Sequence, residues 1–271
     1  MKEETCMQAI ILNCFGRGGS SLLWNLIGSS PSVCMTKSEW HEAFYKTANV
    51  YPKALKQFIK QTSLKVPQSP LLVNMARRRA EADISTNSHN FQPEARKIVL
   101  KLMDYHLAWT DVLDSAFAET HHVILIRHPY AQCESFLRSG MSIQQAAKYY
   151  RNIARRMRAI GEEKNGIVVS FEDLAARPED TLLELYERLS LSFPITDTYF
   201  VKRKSFGSSR KSNDLAIGDI LPIASHNLSN FIDPSVNDRS VARLSASQKE
   251  TIWKYTNSVA RYFGYCERYL E

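Results

Sequence analysis

Ala9-Ile10-Ile11-Leu12, followed by Cys14-Phe15-Gly16-Arg17-Gly18-Gly19-Ser20-Ser21 and then by Leu22, Leu23, Leu26 and Ile27, is the stretch that decides the fold. The opening run is short, apolar and rich in β-branched side chains, as a buried strand requires. The leucine and isoleucine positions that close the stretch fit one face of a helix. Ser20 or Ser21 is predicted to open that helix as a cap, and Gly28-Ser29-Ser30-Pro31 to end it. Three of the ten glycines of the chain, Gly16, Gly18 and Gly19, fall between strand and helix. Glycine allows close approach of a ligand, and a helix start offers unpaired N–H groups and a positive dipole end. Arg17, Ser20 and Ser21 add charge and hydroxyl donors at the same place. The segment therefore reads as an anion cradle. It does not satisfy the nucleoside-triphosphate pattern GxxxxGK followed by Ser or Thr, since no lysine precedes Ser20, and an ordinary ATPase or kinase is disfavoured.

Alternation continues outward from this loop. Residues 97–102 are predicted as a strand, 109–119 as a helix, 122–126 as a strand, and 129–138 as a helix opening with Pro129. The 142–164 segment carries Ile143, Ala147, Tyr150, Ala154, Met157 and Ile160 at helical spacing, with arginines over the remaining surface. A strand at 167–170 and a helix at 178–189 follow. The last helix, 247–263, is expected to pack its Ile252, Tyr255, Val259 and Tyr262 side onto the rest. Strands alternating with helices imply a buried parallel sheet. Residues 40–79 and 205–238 read as irregular segments suited to recognition. With no repeat or linker dividing the chain, the expectation is a single α/β domain over residues 1–271, a central parallel sheet flanked by helices.

Composition narrows the chemistry. Hydrophobic residues make up 44% and charged residues 23% of the 271 positions, which suits a globular chain and excludes disordered and coiled-coil classes. No apolar run reaches the roughly 18 residues of a membrane span, and the first residues carry Lys2, Glu3 and Glu4 in place of a secretory signal, so a cytoplasmic chain is expected. Five scattered cysteines without a CxxC pair support neither a disulfide framework nor a metal site. Thirty-five Lys and Arg against 28 Asp and Glu leave a net charge of +7, which favours anionic ligands. The interleaved basic and aromatic motifs of RNA-binding modules are absent, and nucleic acid is not an expected partner.

Arg17-Gly18-Gly19-Ser20-Ser21-Leu22-Leu23 resembles the first loop of the sulfotransferases that use 3′-phosphoadenosine 5′-phosphosulfate (PAPS), and most closely that of their carbohydrate branch; Gly18 departs from the usual hydroxyl residue. A second likeness is Val123-Ile124-Leu125-Ile126-Arg127-His128-Pro129 with Ser135 eight residues after the arginine, where His128 replaces the usual Asp or Asn. A strand-end arginine and a hydroxyl on the next helix can converge on one anion in the crevice of such a sheet. Val169-Ser170-Phe171-Glu172-Asp173-Leu174 is similar to a further, mainly architectural, segment of that family.

The resemblance implies a P-loop-like sulfotransferase fold, PAPS as donor with no metal, and a hydroxyl acceptor that is a glycan or a small molecule. It assigns Arg17, Gly18, Gly19, Ser20, Ser21, Leu22, Arg127 and Ser135 to the nucleotide. Arg210 and Lys211 join them by their likeness to a basic pair that closes over the 3′-phosphate. Arg17 and Lys101 are the cations implied near the leaving group. For the base, Lys37-Ser38-Glu39-Trp40-His41 resembles a heparan-type stretch in which the glutamate is catalytic, which favours Glu39 with His41 close by; Asp104 and His106, just after Lys101, are the competing positions. Two alternatives stay open: a divergent P-loop-type kinase, and a non-catalytic basic nucleotide- or nucleic-acid-binding protein.

Overall fold

The computed structural model describes residues 7–37, 39–40, 65–85, 96–194, 196–202 and 220–267. Strand β1, Gln8–Cys14, leads through the glycine turn into helix α1, Ser20–Gly28, and on to β2, Val33–Thr36. After α2, Pro70–Ala82, come the two-residue β3, Ile84–Ser85, and β4, Lys97–Met103. A 3-10 turn, Asp104–Trp109, then runs into α3, Thr110–Ala116. Strand β5, Glu119–Ile126, is followed by α4, Pro129–Leu137, and by the long α5, Ile143–Glu163. The remaining elements are β6, Ile167–Ser170; α6, Phe171–Ala176; α7, Pro178–Arg188; a hairpin of β7, Thr198–Lys202, and β8, Ile220–Ala224; and α8, Leu228–Phe231; α9, Val236–Val241; and α10, Ala246–Tyr262.

Among the described residues one sheet has the order β3-β2-β4-β1-β5-β6. Its five longer strands are parallel, and β3 pairs antiparallel with β2 at the edge. Residues alternate between the two faces. Ala9 and Ile11 of β1 pack on one side with Phe15, Tyr150 and Met157; Ile10, Leu12 and Cys14 pack on the other with Leu23, Trp24 and Leu26 of α1. Both faces are therefore covered, as a parallel sheet demands. The strand order reverses at β1, from which the chain runs first to β2 and β4 on one side and later to β5 and β6 on the other; such a switch point is where open α/β sheets bind ligands, beyond the carboxyl ends of the strands.

The single α/β domain with a central parallel sheet follows the sequence reading, with local corrections. Helix α3 begins at Thr110 and stops at Ala116, and Trp109 belongs to the preceding 3-10 turn. The 40–79 stretch is not irregular throughout, for its described end is α2, capped by the Ser69 hydroxyl and opened by Pro70. Only Ala76 and Ala80 of α2 are buried, so its apolar stripe is too slight to show as periodicity. The 205–238 region likewise contains β8, α8 and part of α9. Pro222 reads as a breaker, yet it sits in a two-stranded ribbon opposite Phe200, the edge setting in which proline is tolerated. In α10 the buried face is Ile252, Trp253, Thr256, Val259 and Ala260; Tyr262 is exposed, with the Arg158 guanidinium over its ring at 4.5 Å.

Candidate functional site

The register of three strands builds the site. Cys14, the last residue of β1, lies opposite Met103 of β4 and Leu125 of β5. The residues that follow each strand, Gly16, Asp104 and Arg127, are thereby delivered to one edge of the sheet. Contacts then lock the turn. The Gly16 N–H donates to Asp104 Oδ1 at 3.1 Å, and the Gly16 carbonyl accepts from Gln132 Nε2 at 3.0 Å. Arg17 adopts a left-handed φ of 65° and Asp104 one of 56°, uncommon for non-glycine residues and here located at the turn itself. Phe15 stacks on Tyr150 at 4.8 Å, and the Tyr150 hydroxyl donates to the Arg127 carbonyl at 2.9 Å, so one aromatic pair supports both the turn and the end of β5.

The glycines have steric reasons. A Cβ at Gly18 would lie 2.8 Å from Gln132 Oε1, and Gly19, with φ of 86°, has the Phe171 ring against it. Helix α1 opens with Gly19 at its cap position and no side-chain cap. This corrects the expectation that Ser20 or Ser21 caps the helix: both lie inside its first turn, because the left-handed glycine already turns the chain. The leading N–H groups of this nine-residue helix stand at its positive dipole end, where negative charge is favoured.

On the other side of the sheet, alternation along β4 sends Lys101 into the same face as Val99 and Met103, toward α1. Lys101 is 1% exposed. Its Nζ makes an ion pair with Glu39 Oε1 at 2.6 Å, donates to Ser21 Oγ at 3.0 Å and lies 5.2 Å from the Trp24 ring centre. Two residues named separately from the sequence, Glu39 and Lys101, thus form one unit joined to the start of α1. Cys14 is close by, but burial pushes its thiol up to about 12 and keeps it protonated.

Asp104 and His106 are placed differently. The Asp104 carboxylate holds the Gly16 N–H and also contacts Tyr149, whose hydroxyl is pushed up by burial and by this carboxylate. His106 is 4% exposed, with Nδ1 3.1 Å from the Met103 carbonyl and its ring 4.0 Å from that of Tyr105. Asp104 is thus built into the turn, and His106 into the interior. His41, Arg210 and Lys211 lie outside the described residues.

Arg127 meets the turn directly. Its Nη1 donates to the Arg17 carbonyl at 3.2 Å, while Arg17 Nη1 reaches the Ser135 carbonyl at 3.5 Å. Arg127 is 5% and Ser135 2% exposed. The Arg127 guanidinium thus meets the turn at Arg17, and the Arg17 guanidinium spans from the turn to the last turn of α4 at Ser135. His128 occupies the cap of α4: its Nδ1 accepts from the Tyr130 N–H at 3.2 Å, the task an Asp or Asn would perform. Burial holds this imidazole down at about 4, and neutral Nε2–H then points at the Cys266 carbonyl, 3.3 Å away. Sequence reading missed Gln132 and Asn237, the latter accepting from Arg127 Nε at 2.7 Å. The signal for Gln132 was its place on the helix that follows Arg127; Asn237 is distant in sequence and carried none.

Residues 9–195, more than half of the 271-residue chain, match the family model described as the sulfotransferase family. The sulfotransferase domain from the olefin synthase of Synechococcus PCC 7002 has the same fold, with a TM-score of 0.54 and 18% identity over 98% of this chain and 98% of that one. The sulfotransferase domain from the curacin biosynthetic pathway superposes with a TM-score of 0.50 and 18% identity, covering 95% of this chain and 97% of that one. No curated protein sequence matches. A family match that spans the glycine turn, Lys101, Arg127 and Ser135, on a fold shared with these domains, means that the chain belongs to the sulfotransferase family.

Proposed function

We propose that the protein transfers a sulfuryl group from PAPS to the hydroxyl of a small-molecule or glycan acceptor. The observation that carries this reading is the arrangement around the turn. Arg127 bonds to the Arg17 carbonyl within the turn, Arg17 reaches the Ser135 carbonyl, and the Lys101–Glu39 pair reaches the first turn of α1 through Ser21. The fit of a nucleotide with two phosphate groups rests on the helix start behind the left-handed Gly19 and on the buried Arg127 guanidinium beside it. PAPS when bound supplies an activated sulfate whose transfer leaves adenosine 3′,5′-bisphosphate.

Each residue then has a task. The N–H groups at the start of α1, with Gly18, Gly19, Ser20, Ser21 and Leu22 in its loop and first turn, would hold the 5′-phosphate, and Arg127 with Ser135 the 3′-phosphate. Arg17 and Lys101 would offset charge growing on the leaving oxygen, the main demand of a loose, in-line transfer. Glu39 would accept the acceptor's hydroxyl proton at a carboxylate oxygen while Lys101 keeps that carboxylate in place. His41, Asp104 and His106 remain competitors by position, but Asp104 already serves the Gly16 N–H. Arg210 and Lys211 keep their proposed place over the 3′-phosphate.

Incubation with labelled PAPS and a panel of glycans, phenols and lipid alcohols tests the activity. The panel includes small biosynthetic alcohols because the similar domains are named for an olefin synthase and a biosynthetic pathway. Adenosine 3′,5′-bisphosphate is expected to raise the melting temperature without magnesium. Stabilisation by ATP with magnesium, and none by the bisphosphate, overturns the reading in favour of a kinase.

A further inference from the structure

Arg127 is held by more than the phosphate turn. Its Nε donates to Asn237 Oδ1 at 2.7 Å, and its guanidinium lies 4.9 Å from the centre of the Phe171 ring. Asn237 is 3% exposed and comes from α9, 110 positions along the chain. Its Nδ2 donates to Glu172 Oε1 at 2.5 Å. The same carboxylate oxygen accepts the backbone N–H of His128 at 3.0 Å, and Oε2 accepts the Tyr265 hydroxyl at 2.7 Å. These partners fix the Asn237 amide one way round. Reversing it would set Nδ2 against a guanidinium and Oδ1 against a carboxylate, two repulsive contacts in a buried place.

The chemistry of the link matters as much as its length. A carboxylate on Nε would orient the guanidinium but offset its charge; a neutral amide orients it and leaves the charge for an incoming anion. Nε is fixed by Asn237, Nη1 by the Arg17 carbonyl, and one face by Phe171, so the plane of the fork is set before any ligand arrives. Resting on the assignment of Arg127 to the 3′-phosphate made above, we infer that Asn237, itself oriented by Glu172, is a positioning residue that sets how strongly the protein prefers a 3′,5′-bisphosphorylated adenosine over one phosphorylated only at the 5′ position.

Calorimetric titration of the full chain with adenosine 3′,5′-bisphosphate and with adenosine 5′-phosphate tests this, because loss of a merely structural contact weakens both ligands together. Asn237→Ala is expected to weaken the bisphosphate about tenfold and to leave the monophosphate within about twofold. Asn237→Asp keeps the shape but places a carboxylate against both Arg127 and Glu172, and should lose the preference as well. Glu172→Gln can still accept from Asn237 and His128 through Oε1 and donate to the Tyr265 oxygen, so the preference should survive. Equal weakening of both ligands in the Asn237 variants, or the wild-type ratio retained in Asn237→Asp, overturns the inference. Arg127→Ala separates the two readings. If it abolishes the preference while the Asn237 variants keep it, only the role of Asn237 fails; if it leaves the preference intact, or the wild type has none, the 3′-phosphate assignment fails first.

Discussion

Replacing Lys101 by Met removes one partner of a pair in which the lysine side chain is 1% and the glutamate side chain 13% exposed. Met preserves the length of the stem, so the change isolates the charge. An uncompensated buried charge costs about 3–5 kcal/mol, and the partial solvent access of Glu39 places the expected loss at the lower end, about 3 kcal/mol. For a chain of this size that corresponds to a fall in Tm of roughly 6–12 °C. Glu39→Gln strands Lys101 in the same way, softened by an amide oxygen and by Ser21 Oγ, which still accepts at 3.0 Å. In the Lys101→Met, Glu39→Gln double variant no charge is stranded, and the two single losses should not add. Urea unfolding of all four proteins gives the coupling, expected to exceed about 1.5 kcal/mol. Turnover is a separate readout: Glu39→Gln should lower kcat while leaving affinity for adenosine 3′,5′-bisphosphate within about twofold. Single losses that sum within about 0.5 kcal/mol would refute the pair, and full turnover in Glu39→Gln would move the base to another residue.

Acid should destabilise the protein through His128, whose folded-state value of about 4 lies below its ordinary 6.5. The unfolded chain takes up this proton first as pH falls, so the stabilisation is complete above about 6.5 and is lost toward about 4, by roughly 3 kcal/mol at most. His128→Asn retains a capping oxygen and should flatten that part of the stability–pH profile, leaving the smaller contribution of His121; an unchanged slope refutes it. Asp114 behaves oppositely. Burial alone would raise it, but hydrogen bonds from His122, Lys164 and Thr120 hold it down at about 2, so its contribution is present above about 3.8 and disappears below about 2. Asp114→Asn should therefore cost roughly 2 kcal/mol at neutral pH and almost nothing at pH 2, measured by denaturant titration at both. Gly19→Ala forces a Cβ into a left-handed residue against the Phe171 ring, with an expected loss of about 2–4 kcal/mol and weaker bisphosphate binding; wild-type values for both would show that the turn relaxes without harm.

Local chemistry is legible in this chain wherever one segment suffices to make a feature. The strand, turn and helix at 8–28 follow from apolar runs and clustered glycines, and α5 follows from Ala147, Tyr150, Ala154, Met157 and Ile160 at helical spacing. Arg127 and Ser135 were singled out by their resemblance to a sulfotransferase element, a serine eight residues after a strand-end arginine, which one strand end and the helix after it carry together. Helix α2 escaped notice because its buried side is two alanines, and β8 because Pro222 masks a ribbon edge.

Which groups meet was a matter for the tertiary structure. The sequence by itself determined that a strand-end lysine and a glutamate were candidates for the chemistry. Only the parallel register of β2, β4 and β1, with the facing of alternate residues, brings Lys101 to Glu39 and Ser21 and sets Asp104 against Gly16. Asn237 had no sequence signal at all, since an asparagine 110 positions from its arginine gains its meaning from packing alone. Backbone preference and side-chain periodicity act over a few residues and can be read along a line, whereas burial and hydrogen-bond pairing act across space and are decided by how the layers close.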